Sequence, residues 1–245
     1  MSGKKFGLVG KNIGYSFSKN YFTARFRNDN ALDNSYDNFD IQDISEFPKI
    51  IKENSNLAGL NVTIPYKEII VPYLDSLSKK AMQIGAVNVI RFNKGKLKGY
   101  NSDYFGFKKS LQPLLKPNHK KALILGTGGA SKAIAFALDE LDIFYTFVSR
   151  EANENTIDYS RINATTFDNH QIIINCTPLG TSPNTDAFPP IPYEFFTEKH
   201  IAFDLIYNPQ ETQFLSKAKA KGAIVKNGME MLVLQAEKAW KIWNK

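Results

Sequence analysis

Short apolar runs alternate along the chain with stretches in which apolar residues recur every three to four positions. A short run bounded by turn residues is typical of a buried strand, and the longer spacing is typical of a helix with one buried face. Strands are expected near residues 6–10, 36–41, 58–64, 87–92, 96–99, 121–125, 143–150, 171–175, 201–204 and 223–226. Helices are expected near residues 19–28, 44–53, 78–85, 132–138, 212–221 and 228–243, and another begins after residue 103. This alternation predicts an α/β protein.

The stretch Lys121–Ser131 carries the strongest local signal. Its apolar part, Lys121–Leu125, predicts a strand that is buried on both faces of a parallel sheet. Gly126, Gly128 and Gly129 then allow the backbone to turn tightly and to approach a ligand closely. The Ala-rich sequence that follows predicts a helix whose first N–H groups point at this turn, which is the arrangement that binds a dinucleotide pyrophosphate. A tight turn without a ligand is the alternative.

The next predicted strand, Ile143–Arg150, ends in Ser149 and Arg150. An NAD site has a carboxylate near this position to hold the ribose 2′-hydroxyl, whereas a hydroxyl and a guanidinium suit a 2′-phosphate. The pattern therefore favours NADP. Glu151 follows directly, and an arginine exposed on the surface without a ligand is the other interpretation.

At 245 residues the chain is long enough for one large domain or two modest ones. Its single cysteine, Cys176, excludes an internal disulfide and fits a reducing compartment. The start, Met1–Lys5, leads directly into a strand without the apolar core of a signal peptide, and no apolar run approaches the ~18 residues of a membrane span. We expect a cytoplasmic protein that does not bind a membrane.

The formal net charge of +7 could indicate nucleic-acid binding. The lysines, however, are scattered over loops and helix faces, and no basic run is interleaved with aromatic residues. We therefore expect a solvated basic surface, no nucleic-acid partner, and an attraction for anionic small molecules.

His119, His170 and His200 lie far apart in the sequence, and no cysteine or carboxylate accompanies them at ligand spacing. No metal site is expected. The chain also lacks the Gly-x-Ser-x-Gly elbow of serine hydrolases.

Several polar residues stand at loop positions near the predicted strand ends, and each has an ordinary structural explanation. Ser18 suits the cap of the next helix as well as a ligand contact. Asn61 and Thr63 alternate with Leu60, Val62 and Ile64, so they suit the outer face of a strand. Lys67 and Asp103 suit exposed surface charges.

Taken together, these residues belong to sequence pieces that occur in a fixed order: Ser16–Ser18, Asn61–Lys67, Gly85–Asn88, Asn101–Asp103, Gly126–Ser131, Asn175–Gly180, Asp204–Pro209 and Gly228–Ala236. This series strongly resembles the shikimate dehydrogenase family. The resemblance spans nearly the whole chain, and Asn-Val-Thr-Ile-Pro-Tyr-Lys at 61–67 is its most specific part.

The resemblance implies an NADP-dependent oxidoreductase that reversibly reduces 3-dehydroshikimate to shikimate in aromatic amino-acid biosynthesis. It implies an N-terminal α/β substrate domain, a Rossmann NAD(P)-binding domain, and a C-terminal helix that returns to the first domain. The corresponding boundaries are residues 1–104 with 228–245 for the substrate domain and 105–227 for the Rossmann domain. From the sequence itself, the segment 112–119, which contains Pro113 and Pro117, is the best candidate for a linker.

The resemblance also implies roles for individual residues. Lys67 and Asp103 would be the catalytic pair and would also contact substrate. The remaining substrate residues would be Ser16, Ser18 and Tyr207 at the carboxylate, and Asn61, Thr63, Asn88 and Gln235 at the ring hydroxyls. The cofactor residues would be Gly126, Gly128, Gly129 and Ala130 at the pyrophosphate, Ser149 and Arg150 at the 2′-phosphate, and Thr177, Leu179, Gly228 and Met231 near the nicotinamide.

The chain departs from the family pattern at a few positions. Ser102 replaces a threonine that usually precedes the aspartate, Glu230 stands where glycine is common, and Arg150 lacks the fuller Asn-Arg-Thr clasp. A quinate/shikimate dehydrogenase that uses NAD and a non-catalytic NADP sensor are the alternative functions. The expected partners are small molecules, and the expected assembly is a monomer or a homodimer.

Overall fold

The computed structural model describes residues 3–14 and 16–245, and the chain divides into two units. One unit comprises the chain up to Ser102 together with Ala236–Lys245, and the other is Asp103–Gln235. Met1 and Ser2, on which part of the signal-peptide prediction rests, lie outside the described residues. No helix of the described part is long and apolar enough to cross a membrane.

The described residues of the first unit form a mixed six-stranded sheet in the order β2-β1-β3-β5-β6-β4. β1 is parallel to β2 and β3, β5 is antiparallel to both β3 and β6, and β4 is parallel to β6. The strands are β1 (Lys5–Gly10), β2 (Ser35–Asp40), β3 (Leu57–Val62), β4 (Ser76–Leu77), β5 (Val89–Asn93) and β6 (Lys96–Tyr100). The helices of this part are α1 (Phe17–Asn28), α2 (Phe47–Glu53) and α3 (Lys79–Ile84).

The described residues of this unit include two apolar clusters, and the C-terminal helix α8 (Met229–Trp243) supplies part of one of them. The Trp243 ring lies 4.9 Å from that of Phe6 and 5.1 Å from that of Phe22, measured between centroids. Its indole Nε1 donates a hydrogen bond to the carbonyl of Ile90 at 3.0 Å. Apolar burial and this bond attach the end of α8 to the first unit, as the predicted fold requires.

The second unit contains a six-stranded sheet whose described strands are all parallel, in the order β12-β11-β10-β7-β8-β9. Chain order and sheet order together give the 3-2-1-4-5-6 arrangement of a Rossmann domain. The strands are β7 (Lys121–Leu125), β8 (Phe144–Ser149), β9 (Thr156–Asp158), β10 (Ile172–Asn175), β11 (Ile201–Asp204) and β12 (Ile224–Lys226). The helices are α4 (Asp103–Leu111), α5 (Gly129–Asp139), α6 (Ala164–Asn169) and α7 (Gln213–Lys219), with the first part of α8.

The predicted α/β class with a Rossmann domain is confirmed, while several local predictions need correction. β4, β9 and α6 were not predicted. β3 ends at Val62, so Ile64 does not continue its inner face; Ile64 is 66% exposed. Helix α1 begins at Phe17 with Ser16 as its N-cap, and Ser18 therefore lies inside the first turn rather than capping it.

The Pro-containing segment 112–119 lies inside the second unit, and the division between the units falls at Ser102 and Asp103 instead. The reason is that α4 packs on elements of the second unit. Phe107 stacks edge-on against Phe203, and Tyr104 does the same against Phe136. These contacts tie α4 to the Rossmann sheet, so the prolines interrupt the chain within the unit without separating two parts.

Candidate active site

Strand directions bring the polar residues of the first unit to one edge of its sheet. The carboxyl end of β3, the amino end of β5 and the carboxyl end of β6 meet there, because Asn61 pairs with Val89 and Val89 pairs with Tyr100. Asn88 directly precedes β5, and Ser102 follows β6 by two positions. Residues that are 14 to 41 positions apart in the sequence are thereby gathered by the antiparallel pairing of three strands.

Asn88 and Ser102 are joined by three short contacts within this edge. Asn88 Oδ1 accepts from the Ser102 backbone N–H at 2.6 Å, and the two side chains contact at 3.0 and 3.3 Å. Both residues are buried. The serine that replaces the usual threonine thus keeps the hydroxyl that these contacts need. Asp103, the next residue along the chain, begins α4 and is only 5% exposed, so it is not a surface charge.

Asn61 is buried as well, and its amide is fixed at both ends. Oδ1 accepts from the Tyr36 hydroxyl at 2.8 Å, while Nδ2 donates to the carbonyl of Asn88 at 3.2 Å. The Tyr36 hydroxyl also contacts the Ser18 side chain, and burial raises the pKa of Tyr36. A chain of hydrogen bonds therefore runs from Ser18 through Tyr36 to Asn61.

Tyr36 was not among the predicted site residues. Its aromatic ring stacks on Phe22 at 4.9 Å between centroids, and only its hydroxyl is available for polar contacts. A lone tyrosine in a predicted strand gives no signal of such a role, because the partners come from α1 and β3.

Ser16 and Lys67 are two further predicted site residues of the first unit. The Ser16 Oγ is buried and has no hydrogen-bond partner among the described residues. A buried hydroxyl without a partner is costly and usually accounted for by a ligand or water. Lys67 is half-buried, and its carbonyl accepts from the N–H of Val87 at 2.7 Å, which fixes the turn after β3 beside the start of β5.

The second unit carries the glycine turn between β7 and α5. Gly126 has φ of +101°, a conformation that L side chains rarely adopt, and a Cβ there would lie 3.1 Å from Thr177 Cγ2. Gly128 is the N-cap of α5, and a Cβ on it would meet no atom within 4 Å. The turn is thus tight on the side of Thr177 and open on the side of the helix end.

The backbone N–H groups of Gly128, Gly129 and Ala130 have no acceptor within the part of the chain that the structure describes. Unpaired N–H groups at the start of an 11-residue helix, with open space before them, fit the oxygens of a pyrophosphate. The glycine sequence and the geometry therefore agree on a dinucleotide site.

The remaining predicted cofactor residues also follow the carboxyl ends of this parallel sheet. Ser149 ends β8 and the exposed Arg150 comes next, while Thr177 and Leu179 lie after β10. Tyr207 follows β11 by three positions. In an open parallel sheet, ligands bind at this edge where the strand order reverses, which here lies between β7 and β10.

Gly228 and two residues of α8 belong to the same unit. A Cβ on Gly228 would lie 2.1 Å from the carbonyl oxygen of Leu205, so only glycine fits against the loop after β11. Met231 and Gln235 pack on α4, where the absence of a side chain at Gly106 lets the helices approach. Glu230, which stands at a usual glycine position, pairs with Lys226 on the surface.

Fold and site together define a class. The chain is a two-unit α/β protein of the dehydrogenase type, in which a mixed-sheet unit with a buried polar edge accompanies a Rossmann domain with an open pyrophosphate turn.

Comparison with known proteins identifies the family. Residues 8–90 match the family model described as the shikimate dehydrogenase substrate binding domain. Shikimate dehydrogenase (NADP(+)) of Methanosphaera stadtmanae is 36% identical over 97% of this chain and 90% of its own length. This protein belongs to the shikimate dehydrogenase family.

Solved structures agree with this assignment. The crystal structure of shikimate dehydrogenase from Aquifex aeolicus is similar with a TM-score of 0.88 and 33% identity, covering 99% of this chain and 92% of that one. The Thermus thermophilus shikimate 5-dehydrogenase in complex with NADP(H) and shikimate has a TM-score of 0.86 and 31% identity, with coverages of 98% and 93%.

Proposed function

We propose that this protein catalyses the reversible, NADP-dependent reduction of 3-dehydroshikimate to shikimate. The observation that carries the proposal is the buried polar edge of the first sheet, where Asn61, Asn88 and Ser102 are fixed by mutual hydrogen bonds and the Ser16 hydroxyl has no partner among the described residues. A polyhydroxylated ring acid offers the hydroxyls and the carboxylate that such an edge can bind.

On the substrate side, the hydroxyls of Ser16, Ser18 and Tyr207 bind the carboxylate. The residues that bind the ring hydroxyls are Asn61, Thr63, Asn88 and Gln235. An amide nitrogen has two N–H groups, and Asn61 uses one of them for the carbonyl of Asn88. The second N–H is then suited to a ring hydroxyl, and the existing bonds hold it in position before substrate arrives.

Lys67 and Asp103 form the catalytic pair. Reduction of the ketone places negative charge on its oxygen, and the Lys67 ammonium stabilises that charge and delivers the proton. The Asp103 carboxylate orients the amine and the hydroxyl that is oxidised in the reverse direction. NADPH supplies the hydride in this reaction.

Residues of the Rossmann domain hold the cofactor. The N–H groups of Gly128, Gly129 and Ala130 bind the pyrophosphate, with Gly126 providing the turn, and Ser149 and Arg150 bind the 2′-phosphate. Thr177, Leu179, Gly228 and Met231 line the nicotinamide end. Because Arg150 is a single exposed cation followed by Glu151, we expect a measurable but not absolute preference for NADP over NAD.

The test is a matrix of steady-state rates with shikimate and quinate, each with NADP and NAD, for the wild type and for Lys67→Ala. The wild type is expected to be fastest with shikimate and NADP. Lys67→Ala is expected to lower kcat at least ~10²-fold with a much smaller change in KM, because the amine acts mainly in the transition state. Lys52→Ala removes an exposed lysine of α2 and is the matched control, with rates close to those of the wild type.

Each alternative has its own signature in the same matrix. A strong preference for quinate with NAD would make the protein a quinate/shikimate dehydrogenase. Binding of NADPH without turnover of either acid would make it a sensor. Near-normal turnover in Lys67→Ala would remove that lysine from the mechanism.

A further inference from the structure

Two neighbouring strands of the Rossmann sheet end in buried polar residues that have no role in the site described above. Asn175 is the last residue of β10 and Asp204 is the last residue of β11, and the two are directly paired across the parallel ladder. Both side chains are 0% exposed. An amide and a carboxylate at this depth need hydrogen bonds to offset the loss of water.

Asn175 directs its amide at the loop that follows its own strand. Its Oδ1 accepts from the backbone N–H of Thr177 at 3.0 Å and from the Thr177 hydroxyl at 2.6 Å. Its Nδ2 lies 3.4 Å from the carbonyl oxygen of Leu179 and donates to Asp204 Oδ1 at 3.1 Å. The two loop residues proposed to line the nicotinamide end are therefore both held by one amide.

Asp204 fixes the neighbouring loop in the same way. Oδ1 also accepts from the N–H of Ile206 at 3.0 Å, and Oδ2 accepts from the Thr212 hydroxyl at 2.6 Å. Thr212 in turn caps α7, since its Oγ1 accepts from the N–H of Leu215 at 3.3 Å. The segment 205–212, which contains Tyr207, is thus anchored at both of its ends by a single carboxylate.

The carboxylate of Asp204 has no cationic partner among residues 3–14 and 16–245. Burial raises the pKa of Asp204 to about 6, and the hydrogen bonds from Thr212, Ile206 and Asn175 oppose that rise. The titratable groups that face it are Cys176 and Tyr193, and burial together with the charge of Asp204 raises the pKa of both. Between pH 5 and 8 Asp204 is therefore the member of this group that changes its charge.

All the groups around Asp204 are donors aimed at its oxygens. A proton on the carboxyl converts one acceptor into a donor: on Oδ2 it reverses the hydrogen bond to the Thr212 hydroxyl, and on Oδ1 it removes the acceptor of the Ile206 N–H. The geometry of the loop after β11 therefore depends on the charge of this residue.

We propose that Asp204, Asn175 and Thr212 form a hydrogen-bonded network that positions the loops after β10 and β11, which receive the nicotinamide end of the cofactor. Tight NADPH binding then requires the ionised carboxylate of Asp204. This inference rests on the proposed function, because that proposal places NADPH on these loops. None of the three residues is a catalytic residue; they act through Thr177, Leu179 and Tyr207.

The test is calorimetric titration with NADPH, without substrate, from pH 5 to 8. We expect wild-type affinity to be constant above pH 7 and to fall as the pH decreases through about 6. Thr212→Val removes the hydroxyl at nearly constant shape and should weaken NADPH binding roughly tenfold at pH 7.5, whereas Thr212→Ser should restore wild-type affinity. Thr181→Val is the matched control, because Thr181 is exposed and hydrogen-bonded through its backbone.

Asp204→Asn gives a second readout. The amide keeps one acceptor but cannot accept from Thr212 with its nitrogen, so affinity should be low at every pH, and the decline near pH 6 should shrink to the part caused by protonation of the 2′-phosphate of NADPH. If this variant does not fold, the pair Thr212→Val and Thr212→Ser still decides, since only Thr212→Ser keeps the hydroxyl that bonds to Asp204.

The network proposal would be refuted if Thr212→Val bound NADPH as tightly as the wild type and with the same pH profile. It would also be refuted if Thr212→Ser bound NADPH as weakly as Thr212→Val. The two proposals fail separately. A protein that shows the expected NADPH titrations but does not oxidise shikimate refutes the proposed function alone. Normal shikimate oxidation with an unaltered KM for NADP in Thr212→Val refutes the network alone.

Discussion

The attachment of the C-terminal helix to the first sheet depends on a glycine, and Gly59→Ala tests this directly. Gly59 lies in the middle of β3, and a Cβ built on it would lie 2.3 Å from both Cδ1 and Nε1 of Trp243. Ordinary contact begins at 3.4 Å, so the indole must retreat by about an ångström. The rings of Phe6 and Phe22 already contact the indole, with centroids at 4.9 and 5.1 Å, so the movement would press against them.

The expected cost follows from these contacts. Overpacking a well-packed interior typically costs about 1–3 kcal/mol. Displacement of the indole also weakens its hydrogen bond to Ile90, whose net contribution is about 1 kcal/mol. Alanine is favoured over glycine within a strand by roughly 0.5–1 kcal/mol, which offsets part of the loss. We expect Gly59→Ala to lower the free energy of unfolding by about 2–3 kcal/mol, a large fraction of the ~5–15 kcal/mol typical of native proteins.

Urea unfolding monitored by circular dichroism measures the change, with Gly14→Ala as the control, because a Cβ on Gly14 would meet no atom of the described residues within 4 Å. A double-mutant cycle with Trp243→Leu assigns the cause. If the ring is the obstacle, Gly59→Ala should cost at least ~1 kcal/mol less in the Trp243→Leu background. Equal costs in the two backgrounds, or a Gly59→Ala protein within ~0.5 kcal/mol of the wild type, would refute the reasoning.

Two further predictions concern the second unit. Arg150→Ala should raise KM for NADP roughly tenfold and leave KM for NAD unchanged, since only NADP carries the phosphate that the guanidinium binds, and an equal effect on both cofactors would contradict the assignment. Burial lowers the pKa of His119 in the folded protein, so stability present above the unfolded pKa of about 6.5 should be lost as the pH falls through that value. Urea midpoints between pH 7.5 and 5.5 should therefore decrease in the wild type and decrease less in His119→Gln, and parallel curves would show that His119 does not contribute.

Most strands and helices of the Rossmann domain could be predicted from the sequence because they are marked by local sequence patterns. β7, β10 and β11 are continuous apolar runs, and each was predicted to within a residue or two. Local caps also mark one helix in each unit: α3 of the first unit and α7 of the Rossmann domain begin just after Ser78 and Thr212, whose side chains accept from the first-turn backbone. Such caps and apolar runs need no knowledge of tertiary structure.

The elements that escaped prediction are held by partners elsewhere in the chain. β9 contains Thr156, Ile157 and Asp158, and it is a strand because it pairs with the end of β8. β4 is only two residues long and is defined by its pairing with β6. Helix α6 has six residues, and its capping box between Asn163 and Thr166 was too short a signal to separate from a turn.

The family resemblance identified the candidate site residues from the sequence. It gave no physical reason for the burial of those residues. The sequence alone left Asn61 as an outer-face strand residue and Asp103 as a surface charge, and both are buried. What decides between the two interpretations is the register of β3 against β5 and of β5 against β6, which places Asn61, Asn88 and Ser102 beside one another. Sheet register depends on non-local pairing, and no pattern within one strand encodes it.

Non-local contacts also distinguish two kinds of polar residue at the strand ends of the Rossmann sheet, those that anchor a loop and those that contact a ligand. Asn175 and Asp204 each close an apolar run, so alternation and burial offer no reason for a polar side chain at either place. They accept from the backbone N–H groups of Thr177 and Ile206 and from the Thr212 hydroxyl, and so supply acceptors to the loops that follow the strands. A polar residue that ends a fully buried parallel strand is therefore better read as a loop anchor than as a ligand contact, and the residues it anchors are the ones to examine for function.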